Sequence, residues 1–200
     1  MLRRKSFPWG KLIFFATTNT HKFKEANEVL REYGISAVML KIKTLEVQAD
    51  DIEVVAMESA SEAFKKCCLP LIVEDAGLFI DALNNFPGPY SSYVYRTIGI
   101  DGILKLLEGN EERKARFRSV VAFCDHKGNL KCFHGVAEGR ITKKPMGSSG
   151  FGFDPIFEPF ECVGKTFGEM SIKEKNRFSH RAQALRSFAR WYKSEFESRI

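Results

Sequence analysis

The 200-residue chain carries 31 Lys and Arg against 25 Asp and Glu, a net charge of +6, with 44% hydrophobic and 28% charged residues. That balance reads as one globular domain over 1–200 with room for a full core, and no apolar run reaches the roughly 18 residues of a membrane span. The five cysteines form no C-x-x-C pair, and the basic start MLRRKSFPWGK is interrupted by Pro8 and Gly10. Reduced thiols, a cytoplasmic location, no signal peptide and no membrane partner are therefore expected. The charge excess is spread along the chain, which admits a polyanionic partner and favours a phosphate site over a nucleic-acid-binding arm.

In chain order, KLIFFA (11–16) is a short apolar run and predicts a buried strand. FKEANEVLREY (23–33) predicts a helix with Phe23, Ala26, Leu30 and Tyr33 on one face and Gly34 capping its end. A strand is expected near 38–42, a helix over 52–66, and a strand LIVE (71–74) that ends at two adjacent carboxylates. This alternation predicts an α/β sheet covered by helices. A short helix follows over 100–107. RFRSVVAFCD and LKCFHGVAEGRI then flank His126-Lys127-Gly128-Asn129 as a hairpin, making the sheet mixed. Ser171 and Glu174 have the spacing of a capping box. The chain is expected to be helical from 179 onward, with Leu185, Phe188, Tyr192 and Phe196 as a core-packing stripe.

Four segments carry residue types suited to chemistry. The turn TTNTHK (17–22) joins a strand to a helix, where backbone amides and the helix dipole favour an anion. Thr17, Thr18 and Asn19 add donors there and Lys22 adds a charge; simple N-capping explains the same residues equally well. Glu46 follows one strand, and Glu74 and Asp75 end another. Side chains alternate along a strand, so only one of the last two need face a cleft. Glu46 and Asp75 either offer oxygens to a hard cation such as Mg2+ or are plain surface charge. The loop Gly147–Phe153 sets Phe151 and Phe153 around Gly152, before Asp154, either to stack on a flat base or to pin the loop by burial. Lys175, His180 and Arg181 fall where two helices meet. Gly164-Lys165-Thr166 is no P-loop, because Pro159 stands where the required glycine would be. No HExxH, GxSxG or Ser/His/Asp order is present.

Taken in order, ATTNTHKFKE, LEVQADD, VEDAGLFIDALNNFPGPYSSY, GSSGFGFDPIF and TFGEMSIKEKNRFSHRAQAL resemble the inosine/xanthosine triphosphate pyrophosphatase family. These enzymes hydrolyse non-standard purine nucleoside triphosphates. The resemblance spans about 11–191. It implies an elongated α/β fold with a long twisted mixed sheet flanked by helices, two lobes and a central nucleotide cleft, a homodimer, and Mg2+-dependent release of pyrophosphate. It also implies roles: phosphates held by Thr17, Thr18, Asn19, Thr20, His21 and Lys22; metal held by Glu46 and Asp75; and Asp75 as the base that takes water's proton. Ala76 would border the substrate. Phe151, Gly152, Phe153 and Asp154 would contact base and sugar, with Lys175, His180 and Arg181 closing over the nucleotide. Ala76 stands where relatives carry serine, and Phe153 where tyrosine or tryptophan is expected. The rival readings are a pyrimidine-directed nucleotide pyrophosphatase and a nucleic-acid-binding module.

Overall fold

The computed structural model describes residues 8–44 and 47–197, with side chains through 195; Glu46 and the Phe196 side chain, both singled out above, lie outside the described residues. The chain order is β1 (Leu12–Ala16), α1 (Thr20–Arg31), β2 (Ser36–Leu40), α2 (Ile52–Cys67) and β3 (Leu71–Ile80). Then come β4 (Pro87–Gly88), α3 (Ser91–Thr97), α4 (Gly99–Leu106), β5 (Lys114–Cys124), β6 (Leu130–Ile141), β7 (Phe157–Pro159), α5 (Ile172–Lys175) and α6 (His180–Glu197). The seven strands form one mixed sheet in the order β2-β1-β3-β5-β6-β7, with β4 paired to β3. β1 runs parallel to β2 and β3, and the remaining pairs are antiparallel.

β1 is central, and that explains its unbroken LIFFA sequence. One face packs under α1 and α6 around Phe15, Leu30, Leu185 and Phe188. The other packs under α2 around Ile52, Ala56 and Ala60. A third cluster fills the far half of the sheet with Leu78, Ile103, Phe117, Phe157 and Phe167. The expected hairpin and the expected capping box of the second half both form. The Asp125 carboxylate accepts the N–H groups of Lys127 and Asn129 at 2.7 and 2.9 Å in the β5–β6 turn. Ser171 and Glu174 make the reciprocal bonds that start α5.

Several expectations are corrected. β3 does not stop at Glu74 but continues to Ile80, pairing with β5 along its whole length from Leu71↔Cys124 to Ile80↔Ala115. Gly77 is a strand residue kept bare by a neighbour, because a Cβ there would strike the carbonyl oxygen of Gly88 on β4. β2 begins two residues earlier than expected. A helix, α3, forms over 91–97, where the sequence suggests none. α1 starts at Thr20, not Phe23, and its buried side is Glu25, Ala26, Val29 and Leu30; a carboxylate thus sits on the face that periodicity assigns to apolar residues.

Gly135 on β6 sets the position of α6. A Cβ there would collide with the backbone oxygen of His180 and stand 2.6 Å from the Ala184 nitrogen. Gly135→Ala is therefore expected to push the first turn of α6 off the sheet, costing about 1–3 kcal/mol as an overpacking change. Chemical denaturation measures the stability, and unchanged midpoint and slope would show that the helix is not seated as described.

Candidate active site

The site begins as a gap in the sheet. The edge of β3 facing away from β5 is paired by β1 only at Phe14↔Leu71 and Phe15↔Ile72. Further along, β4 pairs with it at Leu78 and Phe79. Between these contacts, β1 has already turned into the 17–19 loop, and residues 73–77 of β3 lie on an edge that neither strand pairs. So the carboxylates do stand at a strand end, but it is the end of β1 rather than of β3. Both Glu74 and Asp75 border the cleft that opens there, about 1520 Å³ in volume, but only the Asp75 side chain is exposed to it, at 27% against 0% for Glu74.

The 17–22 loop forms one wall. Asn19 is the N-cap of α1: its side-chain oxygen accepts the N–H groups of His21 and Lys22 at 2.9 and 3.1 Å. Thr17 Oγ1 in turn accepts the Asn19 N–H at 3.1 Å. Capping is thus real, and it holds a helix N-terminus, with its partial positive charge, at the cleft. Thr17, Thr18, Asn19, His21 and Lys22 line the cavity, whereas Thr20 does not. Lys22 Nζ reaches Glu74 Oε2 at 3.0 Å and Asp75 Oδ1 at 3.7 Å, and it donates to the Glu74 carbonyl at 3.1 Å.

Behind the carboxylates lies a buried charge network. Glu74 accepts the Ser119 hydroxyl at 2.6 Å and pairs with Arg181 Nε at 3.1 Å. Arg181 Nη1 also bonds to Glu25 Oε2. Glu25 Oε1 accepts Lys175 Nζ at 2.8 Å, and Lys175 donates a second bond to Asp154 Oδ2 at 2.7 Å. Lys175 and Arg181 are each 2% exposed, so they do not form a solvated charge cluster at the helix start. Lys22, Lys175 and Arg181 thus face Glu25, Glu74, Asp75 and Asp154, leaving one carboxylate unmatched.

The most weakly paired of the four is Asp75, whose ion pair to Lys22 at 3.7 Å is the longest in the network. Its side chain is 27% exposed whereas that of Glu74 is fully buried. Desolvation by the cleft walls raises the Asp75 carboxyl above its ordinary range, Glu74 beside it adds to the rise, and Lys22 only partly offsets both. Glu74 moves the other way: burial opposes its charge, but Arg181, Lys22 and the Ser119 hydroxyl outweigh burial and hold it well below the ordinary range. Adjacent carboxylates driven apart in this way give one permanent anion and one adjustable proton acceptor.

Phe151 lines the cleft beside the 17–22 loop. Its ring lies 5.4 Å from His21, and the Lys175 and Arg181 cations approach it at 5.1 and 5.3 Å. Asp154 Oδ2 accepts the Phe151 N–H at 2.8 Å and fixes the loop. Phe151, Gly152, Phe153 and Asp154 all line the cleft. Phe153, though, is 3% exposed and belongs to the core, with its ring edge-on to Tyr95 at 5.4 Å; burial pins this residue, and Phe151 is the more accessible of the two rings. His180 also lines the cleft, stacked 4.6 Å from the Phe117 ring. Its burial, reinforced by Arg181 and Lys175, pushes its pKa well down and keeps the imidazole neutral. Ala76 also lines the cavity.

Glu25 and Ser119 were absent from the residues expected to form the site, and Glu74 was named beside Asp75 without a role. For Glu25 the available signal was an acid on the apolar face of a helix, inside ATTNTHKFKE. Ser119 lies within a plain strand and carried no signal.

The network predicts acid lability. Glu25 is lowered from the ordinary glutamate value of 4.5 because Arg181 and Lys175 outweigh its burial, and Glu74 is lowered in the same sense. Groups whose folded pKa is depressed add stability above the unfolded value, and that stability disappears as pH falls through the folded value. The melting temperature should hold from pH 7 to about 5 and drop below that, with a smaller drop in Glu74→Gln. Equal drops in the two proteins would exclude Glu74 as a source.

A mixed sheet opened at one edge, with a helix N-terminus, a carboxylate pair and an aromatic loop around the opening, defines an α/β protein built for acid–base chemistry on an anionic ligand. Residues 13–191 match the Ham1 family, and the chain belongs to it. It is 50% identical over 182 residues to a dITP/XTP pyrophosphatase of Hyperthermus butylicus, covering 91% of this chain and 95% of that protein. It is 48% identical to a dITP/XTP pyrophosphatase of Methanopyrus kandleri, covering 94% and 99%. Among solved structures, the Ham1 protein of Coxiella burnetii superposes with a TM-score of 0.78 at 33% identity, covering 90% of this chain and 96% of that one. The Staphylococcus aureus Ham1 protein gives the same score at 26% identity, covering 92% and 100%.

Proposed function

We propose that this protein hydrolyses non-standard purine nucleoside triphosphates of the dITP and XTP type to the monophosphate and pyrophosphate. The observation that carries this is identity near one half, across almost the full length of both chains, to proteins named dITP/XTP pyrophosphatases. The geometry suits the reaction. The α1 N-terminus and Lys22 receive phosphate oxygens, where a positive helix end and an ammonium neutralise charge. Phe151 offers a ring face to the base. Asp75 takes a proton from water as the water oxygen bonds to the α-phosphorus. The bond from that phosphorus to the α–β bridging oxygen breaks, and the bridging oxygen leaves with pyrophosphate. A weakly paired carboxylate whose pKa is raised is suited to accept that proton.

The residues also fit a Mg2+ ion. Among the described residues no three His, Cys, Asp or Glu side chains converge on one point. Mg2+ does not need such a cage: it usually takes one or two carboxylates and completes its shell with water and substrate phosphates. The excess negative charge at Asp75 is where it would be held, with Glu46 as the second carboxylate expected from the sequence. Bound there, the ion would supply charge neutralisation for the leaving pyrophosphate.

Incubation of the purified protein with dITP and with XTP, with and without Mg2+, tests the reading. The expected products are the monophosphate and pyrophosphate in equal amounts. Diphosphate and orthophosphate would place the cleaved bond elsewhere and overturn it.

A further inference from the structure

We infer that the pocket between the start of β5, the end of β6 and Phe160 is a second nucleotide site, separate from the cleft. It takes a free nucleoside phosphate, with the base on Phe160 and the phosphate on Lys114 and Lys144. The pocket has a volume of about 640 Å³ and shares no lining residue with the cleft. Lys114 starts β5, six residues ahead of Val120, the strand partner of Asp75. At about 3.4 Å per residue that places it roughly 20 Å from the Asp75 carboxylate.

Arg113 holds the pocket in shape. Its Nε donates to the Ile141 carbonyl at 2.7 Å, Nη1 to that of Leu107 at 3.0 Å and Nη2 to that of Thr142 at 2.9 Å. The guanidinium thus ties the end of α4 to the end of β6, and its charge rests on carbonyl oxygens. Two of the three carboxylates that line the pocket are already committed, Glu158 to Arg140 at 2.8 Å and Glu111 to Lys143 at 2.9 Å. The third, Glu112, accepts the Lys114 backbone N–H at 3.0 Å. Against it stand Arg113, Lys114 and Lys144, none of which forms an ion pair within 4 Å among the described residues. Five cations therefore face three carboxylates, an excess of two positive charges in a chain whose net charge is +6.

A phosphate group matches that excess, and lysine ammoniums bind phosphate as point charges. Phe160 supplies the other half of the site. Its ring is 48% exposed, and a flat base can stack on it. The volume falls within the roughly 300–1,000 Å³ of small-molecule sites. Inorganic phosphate alone would leave the Phe160 ring in water. A nucleic-acid strand would need a charge track running on past the pocket, and the next cation along β5, Arg116, is already engaged by Asp81 and Asn85 at 2.7 Å each.

Equilibrium dialysis of dAMP and of dIMP, with inorganic phosphate and a short single-stranded oligonucleotide as competitors, tests the assignment. Wild type is compared with the double variant Lys114→Ala/Lys144→Ala and with Phe160→Ser, with melting temperatures as control. Both lysines are exposed and neither lines the cleft, so hydrolysis of dITP should be unchanged in the double variant. One bound equivalent of mononucleotide is expected to weaken by at least about 10-fold in the double variant, the loss of charged contacts to phosphate. Phe160→Ser is expected to weaken the same equivalent while leaving inorganic phosphate binding intact. Equal stoichiometry and affinity in wild type and double variant would overturn the inference. An equivalent that Phe160→Ser leaves unchanged would make the pocket a simple anion site and overturn the nucleotide assignment. An oligonucleotide that binds the pocket more tightly than either mononucleotide would overturn it in favour of nucleic acid.

Discussion

Asp75→Asn is expected to lower kcat/KM for dITP by about 10²–10⁴-fold, roughly 3–5 kcal/mol of barrier, with the fold retained. The change is nearly isosteric. It removes the carboxylate that the buried network pairs most weakly, so no buried cation loses its only partner: Lys22 keeps Glu74 at 3.0 Å. Folding should be indifferent or slightly favoured, because ionising a carboxyl whose pKa is raised by burial and by Glu74 opposes the folded state. Chemistry loses its proton acceptor and one prospective metal ligand together. The decisive measurement is pyrophosphate release at saturating Mg2+ with melting temperature as control. A variant that melts like the wild type and turns over at a comparable rate would move the base away from Asp75.

Arg181→Ala is expected to cost about 3–5 kcal/mol of stability, a drop of roughly 6–20 °C in melting temperature for a chain of this size. The guanidinium is fully enclosed and pairs with two buried carboxylates, Glu25 and Glu74. Truncating it leaves Glu25 with Lys175 alone and Glu74 with Lys22 and Ser119, and it opens a cavity beside Phe151. Removing one member of a buried ionic network costs far more than the network contributes relative to apolar packing, because the charges left behind are desolvated and underpaired. Arg181→Lys keeps the charge but not the two-sided grip, and should fall between wild type and alanine. Melting of Arg181→Ala within a degree or two of wild type would show that these ion pairs do not hold the folded state.

Much of this protein was legible in its residues. The alternation of apolar runs and amphipathic segments specified an α/β sheet with an antiparallel hairpin, because periodicity and turn chemistry are local properties. Motif order specified the family, and it marked residues from four segments that meet at one cleft. Local signals misled where a neighbour determined the outcome. β3 was expected to end at Glu74, but it runs on to Ile80, and the bare Cα of Gly77 makes room for β4. Phe151 and Phe153 were equivalent as sequence, and only packing separated a partly buried ring from a core ring. The charge network was beyond reach for the same reason. Glu25 and Arg181 are 156 residues apart, and an ion pair between them exists only because Gly135 lets α6 settle on the sheet beside α1. Sequence by itself determined which groups this protein has and the fold that brings them close. Tertiary structure decided which carboxylates are neutralised and which one is left for chemistry, because desolvation and pairing depend on distances that no local pattern encodes.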